Sequence, residues 1–318
     1  MSNIIDFSNA TLVERYYGGN AGSKLSINYE DDIYMIKFPK STKELQRSVQ
    51  LSYTNTPLSE YVGSKIYESL SIPVHKTMLG IRNEKIVVAC KDFLNNGDRL
   101  EEFKNIKNHY IEDVSSSPNF TGGEGTNLYE VLEVMDKNPT LRHFGSKVVD
   151  RFWDMFVVDM LIANSDRNNG NWGVIFRTDG TKELAPVYDN GNSFNPKSSD
   201  EQLLKALSSN ESLAHSAYVT RVCAYKDEFD KPMKAHEVIS SLIFEDCNKA
   251  VLRINNSLDV GAVKKIIYDI PNEYNGYLVA TDVQKEYMYK SFMVRKEAIF
   301  DVALNKINAK KKNKNYER

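Results

Sequence analysis

The chain has 318 residues, 41% of them hydrophobic and 26% charged, with a formal net charge of −2 at pH 7. That is enough chain for one large or two ordinary soluble globular domains. The near-neutral balance excludes wholesale nucleic-acid binding.

Taken in order, KLSINYE (24–30) and IYMIKF (33–38) alternate around a turn-like EDD and predict a hairpin. Residues 58–71 read as a helix, with Val62, Ile66 and Leu70 on one face, Leu58 and Tyr61 flanking it and Pro73 as its stop. TMLGI (77–81) and KIVVACKDF (85–93) predict two more strands around Arg82-Asn83-Glu84. The first hundred residues therefore form a small sheet with one helix. Residues 115–126, rich in Ser and Gly, are a loop by composition. A broad apolar stripe then predicts a buried helix over 145–163. Strands are expected at 173–177 and 182–189, mostly helix over 200–310, and a basic, solvated tail from Asn308. Cys90, Cys223 and Cys247 are far apart, which fits a reducing compartment. No signal peptide is visible, and no apolar run is long enough to span a membrane.

Four segments carry chemistry. YYGGNAGSK (16–24) holds Gly19, Gly22 and Ser23 just before a strand. Glycines there let backbone N–H groups face an anion, although a hairpin turn is the simpler reading. Lys37 shares a strand face with Ile33 and Met35, so its ammonium needs a partner or must snorkel out. Glu60, at the start of the following helix, is the candidate partner.

In NSDRNNGNWGVI (164–175), Asp166 and Asn171 stand five apart. A carboxylate can orient a hydroxyl and accept its proton, and an amide oxygen five residues on can bind a divalent cation. Gly170 and Gly173 let the chain turn between helix and strand, and Asn164, Asn168 and Asn169 read as turn formers. In LAPVYDNG (184–191), an apolar strand ends at Asp189, a second hard oxygen ligand. Each segment alone has an ordinary structural reading. Their order makes a phosphate and metal site the better joint one.

On these residues the chain resembles the HipA-like serine/threonine kinases. The likeness rests on FVVDMLIANSDRNNGNWGVI (156–175) and LAPVYDNG, supported by IYMIKFPK (33–40) and residues 59–74. The resemblance implies an α+β, two-lobed protein-kinase-like fold. The N-lobe is an antiparallel sheet with a helix over 1–93, with its hinge at 88–93. The C-lobe, mainly helical, spans 94–318. It implies ATP and Mg2+ as cofactors, Asp166 as catalytic base, and Asn171 and Asp189 as metal ligands. Gly19, Gly22, Ser23, Lys37 and Glu60 would serve the phosphates, and backbone groups of Ala89, Cys90, Lys91 and Asp92 would meet adenine. It also implies a protein substrate with a Ser/Thr acceptor, and autophosphorylation, for which Ser23 is a candidate. One departure is Asn168, where the family often has histidine. Location would be the cytoplasm, or outside it by a route without a classical leader. A separate regulatory or antitoxin partner is not readable. The competing readings are a small-molecule or lipid kinase of the same fold group and a nucleotide-binding pseudokinase.

Overall fold

A computed structural model describes residues 4–15, 24–41, 54–114 and 121–316. In chain order they form β1 (Ile5–Asp6), β2 (Thr11–Leu12), β3 (Lys24–Tyr29), β4 (Asp32–Lys37), α1 (Thr56–Ser69), β5 (Thr77–Arg82) and β6 (Lys85–Lys91). There follow β7 (Arg99–Glu102), α2 (Phe103–Val114), α3 (Leu128–Lys137), α4 (Pro139–Arg142), α5 (Ser146–Ile162), β8 (Gly173–Phe176) and β9 (Lys182–Leu184). The rest is α6 (Asp200–Leu207), α7 (Asn210–Ala214), α8 (Ala235–Ser241), α9 (Glu245–Ser257), α10 (Val260–Tyr268), β10 (Glu273–Tyr274), β11 (Tyr277–Leu278), α11 (Asp282–Arg295) and α12 (Asp301–Tyr316). Two compact units are built from interleaved segments: Met1–Phe93, Val187–Ser216 and Asp259–Ser291 in the first, and Leu94–Pro186, Ala217–Leu258 and Phe292–Arg318 in the second.

The first unit carries a six-stranded sheet of order β1-β5-β6-β4-β3-β2. Its pairs are antiparallel, except that β1 runs parallel to β5. Both predicted hairpins form. Their two-residue turns, Glu30-Asp31 and Asn83-Glu84, have φ between 49 and 64°, the left-handed values that match strand twist. Alternation puts Ile27, Tyr34, Ile36, Val87 and Ala89 with Phe7 in one apolar layer. Helix α1 starts two residues before the expected Leu58, because Pro57 suits a first turn. It buries Leu58, Val62 and Ile66.

The second unit has the antiparallel sheet β7-β8-β9 and the long helix α5. Helix α5 buries eleven residues from Val148 to Ile162, including Phe152, Trp153 and Phe156, as the broad stripe requires. Strand β9 ends at Leu184, short of the expected Asp189. Pro186 has no N–H to continue a ladder, and Val187 instead makes an isolated parallel bridge to Val74 within the first unit. The basic C-terminal stretch is exposed over 308–313 but helical, as the last turns of α12. Among the described residues no helix is long and apolar enough to cross a membrane.

Candidate active site

In the first unit, Lys37 ends β4 and is 7% exposed. An unpaired ammonium there would be costly. Its Nζ donates to Glu60 Oε2 at 2.7 Å and to Asp189 Oδ1 at 2.9 Å. Glu60, on the first turns of α1, is fully buried, and its other oxygen accepts from the backbone N–H of Asn190 at 2.8 Å. His75 Nε2 lies 3.0 Å from the same Oε1 and 3.2 Å from Ser64 Oγ. Asn190 Nδ2 closes the ring by donating to Ser64 Oγ at 3.0 Å. Every group in this buried network has a partner, the condition under which such a network is rigid rather than destabilising.

Burial opposes the charge on Lys37, but Asp189 and Glu60 outweigh it and hold its pKa well above the ordinary lysine value. Burial alone would raise Glu60; Lys37 and His75 overcome it and keep the carboxyl below the usual range. Asp189 is lowered by Lys37 against burial. Asp189 has a left-handed backbone with φ 60°, and its side chain stays 42% exposed, so the carboxylate presents a face to a ligand. The chain then passes close to α1. A Cβ on Gly191 would lie 2.7 Å from Thr56 Cγ2 and 3.2 Å from Glu60 Oε2, so a side chain there would press on the carboxylate that holds Lys37.

Two further side chains lie beside this cluster. Lys24 is directly opposite Lys37 in the β3–β4 register, and burial followed by the Lys37 charge lowers its pKa. Like charges facing each other across a ladder are unfavourable, and an anion at this corner would relieve them. Cys90 places its thiol within 4.8 Å of the Glu60 and His75 ligand atoms, and burial pushes it far up the scale. It is a core residue beside the Lys37 cluster.

The segment expected to meet adenine runs along the sheet and just past its end. Ala89 and Cys90 lie inside the sheet, paired to β4 on one side and β5 on the other. The N–H groups of Lys91 and Asp92 go to Lys76 O at 2.8 Å and Ile33 O at 2.9 Å. Those two N–H groups are thereby engaged within the first unit. Gly19, Gly22 and Ser23 lie outside the described residues.

In the second unit, α5 ends on Ala163 in the left-handed conformation, and the Asn164 N–H folds back to Asp159 O at 2.8 Å. Asp159 is buried at the helix end and receives Arg167 Nε at 2.9 Å and Asn164 Nδ2 at 3.2 Å. Arg167 reaches on to Asn171 O at 3.0 Å, so one buried ion pair pins both ends of the loop. Asp166 is exposed between them. Asn171 Nδ2 donates to Asp166 O at 2.5 Å, which leaves the amide oxygen facing away from that contact.

The asparagines do more than form a turn, which corrects the expectation for them. Asn164 Oδ1 accepts the Asp166 N–H at 3.2 Å. Asn168 Nδ2 donates to Asp166 Oδ1 at 3.0 Å, while its own oxygen accepts from Gly170 N. The position that departs from the family pattern thus touches the carboxylate. Asn169, fully buried, donates to Gly123 O and Gly125 O, both at 2.8 Å, and ties the described end of the Gly-rich loop to this segment. Gly173 is required by packing, since a Cβ there would lie 2.1 Å from Glu101 O on β7. Trp172 stacks on Phe103 at 4.1 Å and is a packing group.

No family model matches the chain. It is 35% identical over 304 residues to the serine/threonine-protein kinase CtkA of Helicobacter pylori strain J99, covering 94% of this chain and 87% of that protein. The fold matches the crystal structure of the Helicobacter pylori proinflammatory kinase CtkA with a TM-score of 0.86 at 32% identity, over 96% of this chain and 98% of the other. HipA in a toxin–antitoxin complex from Shewanella oneidensis MR-1 is a looser match, with a TM-score of 0.48 and 12% identity over 93% and 70% of the two chains.

Proposed function

Because the chain belongs to the serine/threonine kinase family of CtkA, we propose that it transfers the γ-phosphoryl group of Mg2+-bound ATP to a serine or threonine hydroxyl of a protein. Kinase activity, and with it the use of ATP and a divalent metal, follows from that membership.

In this reading Lys37, clamped by Glu60, contacts the ATP phosphates, with Lys24 beside it. Gly19, Gly22 and Ser23 cover the phosphates. Backbone groups of the 88–93 segment, Ala89, Cys90, Lys91 and Asp92 among them, meet adenine. Asp189 and Asn171 hold the metal. An open carboxylate face and an outward amide oxygen are the hard donors that suit Mg2+. When bound, the ion neutralises charge shared between the phosphates. Asp166 orients the acceptor hydroxyl and takes its proton, steadied by Asn168. The chain's contribution is positioning and fixed charge. An N-lobe over 1–93 and a C-lobe over 94–318 divide these tasks. Ser23 is a candidate site of autophosphorylation, tested by mass spectrometry after incubation with ATP.

The observation that carries the reading is the Lys37 ammonium held between buried Glu60 and half-open Asp189. Isotope transfer from labelled ATP to an acceptor protein tests it. Asp166→Ala and Asp189→Ala should both lose transfer, and only Asp189→Ala should weaken metal-dependent nucleotide binding. Unchanged transfer by Asp189→Ala would refute the assignment.

A further inference from the structure

Glu60 on α1, His75 just before β5 and Cys90 on β6 meet inside the first unit, each offering one ligand atom within 4.8 Å of the other two. All three are buried, with exposures of 0%, 4% and 1%. A carboxylate, an imidazole and a thiol are donor types that suit zinc. In a tetrahedral zinc site, bonds of about 2.0–2.3 Å put neighbouring ligand atoms roughly 3.3–3.8 Å apart. Glu60 Oε1 and His75 Nε2 already stand 3.0 Å apart. A side-chain adjustment on the order of 1 Å brings the thiol into range.

Two features distinguish this cluster from an ordinary polar core. The first is that it already holds a positive charge, the Lys37 ammonium at 2.7 Å from Glu60 Oε2. The Glu60 carboxylate accepts from Lys37, His75 and the Asn190 N–H, against about four lone-pair sites. An entering cation therefore exchanges with one ammonium and keeps the charge balance of the cluster. The second is Thr77, directly opposite Cys90 in the β5–β6 register, so that the two side chains share a face of the sheet. Thr77 is 3% exposed, and among the described residues its Oγ1 has no hydrogen-bond partner. A buried hydroxyl in that state calls for an acceptor. Burial pushes the Cys90 thiol far up and keeps it protonated, and a sulfur ionised by a metal would supply that acceptor. Such an outer contact is what fixes a metal ligand in place.

We propose that Glu60, His75 and Cys90 form a zinc site that competes with Lys37 for the Glu60 carboxylate. On binding, a zinc–sulfur bond replaces the S–H bond and the thiol proton leaves to solvent. Glu60 exchanges the Lys37 ammonium for the ion, and Lys37 is left to Asp189. The sulfur and nitrogen donors disfavour magnesium, so the site is distinct from the hard oxygen pair of Asp189 and Asn171. Where Lys37 serves the ATP phosphates, as in the kinase reading, zinc loading stops transfer. The site itself does not depend on that reading.

Cobalt(II), which occupies zinc sites and absorbs strongly in the near ultraviolet when bound to thiolate, tests the proposal. Wild type should bind one Co2+ with that band, and Zn2+ should bleach it. Cys90→Ser should lose the band, and Cys223→Ser should keep it. Lys37→Met should bind Co2+ roughly tenfold or more tightly, because a like charge beside the ion is removed. On wild type, Zn2+ should raise Tm, and on Cys90→Ser it should not. With excess Mg2+ and ATP, Zn2+ should stop isotope transfer by wild type, and a chelator should restore it. Absence of the thiolate band in wild type, a band that survives Cys90→Ser, or an affinity unchanged in Lys37→Met overturns the site. The expected band and affinities with undiminished transfer uphold the site and count against Lys37 as the phosphate contact.

Discussion

Lys37 and Asp189, 152 positions apart in sequence, meet at 2.9 Å, and the same ammonium is 2.7 Å from Glu60. A cation so enclosed is held in one place by its two carboxylates. Replacing it leaves Glu60 buried without its strongest partner. Lys37→Met should lower stability by about 3–5 kcal/mol, the cost of breaking a buried pair, read from urea denaturation. Transfer should fall at least about a hundredfold, the scale of losing one preorganised electrostatic contact. Adding Glu60→Gln should recover part of the stability and none of the activity.

The pH dependence has a definite sign. Glu60 and Asp189 are both held below their ordinary carboxyl values of 4.5 and 3.8. Depressed acids contribute stability above the unfolded-state values and lose it as pH falls through the folded ones. The lysine, held above 10.5, contributes below that value and loses its contribution as pH rises through its raised folded value. Wild-type stability from this cluster should therefore be flat between pH 7 and 5 and decline below about pH 4. In Lys37→Met the buried Glu60 carboxylate lacks its cation and favours taking up a proton. Its folded pKa is then raised, so stability should increase from pH 7 to 5. Urea midpoints at the two pH values decide, and a flat profile in the variant would remove the argument.

Asn168 donates to Asp166 Oδ1 at 3.0 Å and is itself fixed by Gly170 N–H. Asn168→Ala should reduce kcat by roughly tenfold, as expected when a modest orienting hydrogen bond is lost. KM for ATP should stay the same. Histidine at this position retains a donor, so Asn168→His should keep more of the rate than Asn168→Ala. Equal rates for wild type and Asn168→Ala would show that the contact does not orient the carboxylate.

Lys24 and Lys37 face each other across β3 and β4. If ATP phosphates relieve that repulsion, Lys24→Ala should raise KM for ATP by about three- to tenfold, one charge-assisted contact, and leave kcat nearly intact. Without nucleotide the variant should be as stable as wild type or slightly more so. Its gain in stability from added ATP and metal should be smaller, measured as a shift in Tm.

The period-2 alternation around Lys37 and the period-4 face of α1 placed an ammonium and Glu60 on elements that could meet, and the contact exists. His75 and Asn190 carry no such signal. They reach Glu60 from 15 and 130 positions away, through chain paths that periodicity does not encode. The asparagines of 164–171 looked alike because turn chemistry favours all of them. Their contacts to Asp159, Asp166 and the 123–125 segment tell them apart, and only the last is distant in sequence. The apolar run 182–189 was read as one strand because proline's missing donor at 186 was given too little weight. That the N–H groups of Lys91 and Asp92 engage Lys76 O and Ile33 O carries no local mark either. The parallel pairing of β1 depends on a partner more than seventy residues ahead and leaves no local mark.

The central claim is that Asp189 and Asn171 hold the cation that accompanies ATP. The most direct measurement is a crystal structure with a non-hydrolysable ATP analogue and Mn2+, the metal located by its anomalous signal. The account predicts a manganese ion ligated by an Asp189 carboxylate oxygen and the Asn171 amide oxygen, with Lys37 Nζ on a phosphate. A metal bound to the nucleotide but to neither residue would contradict it.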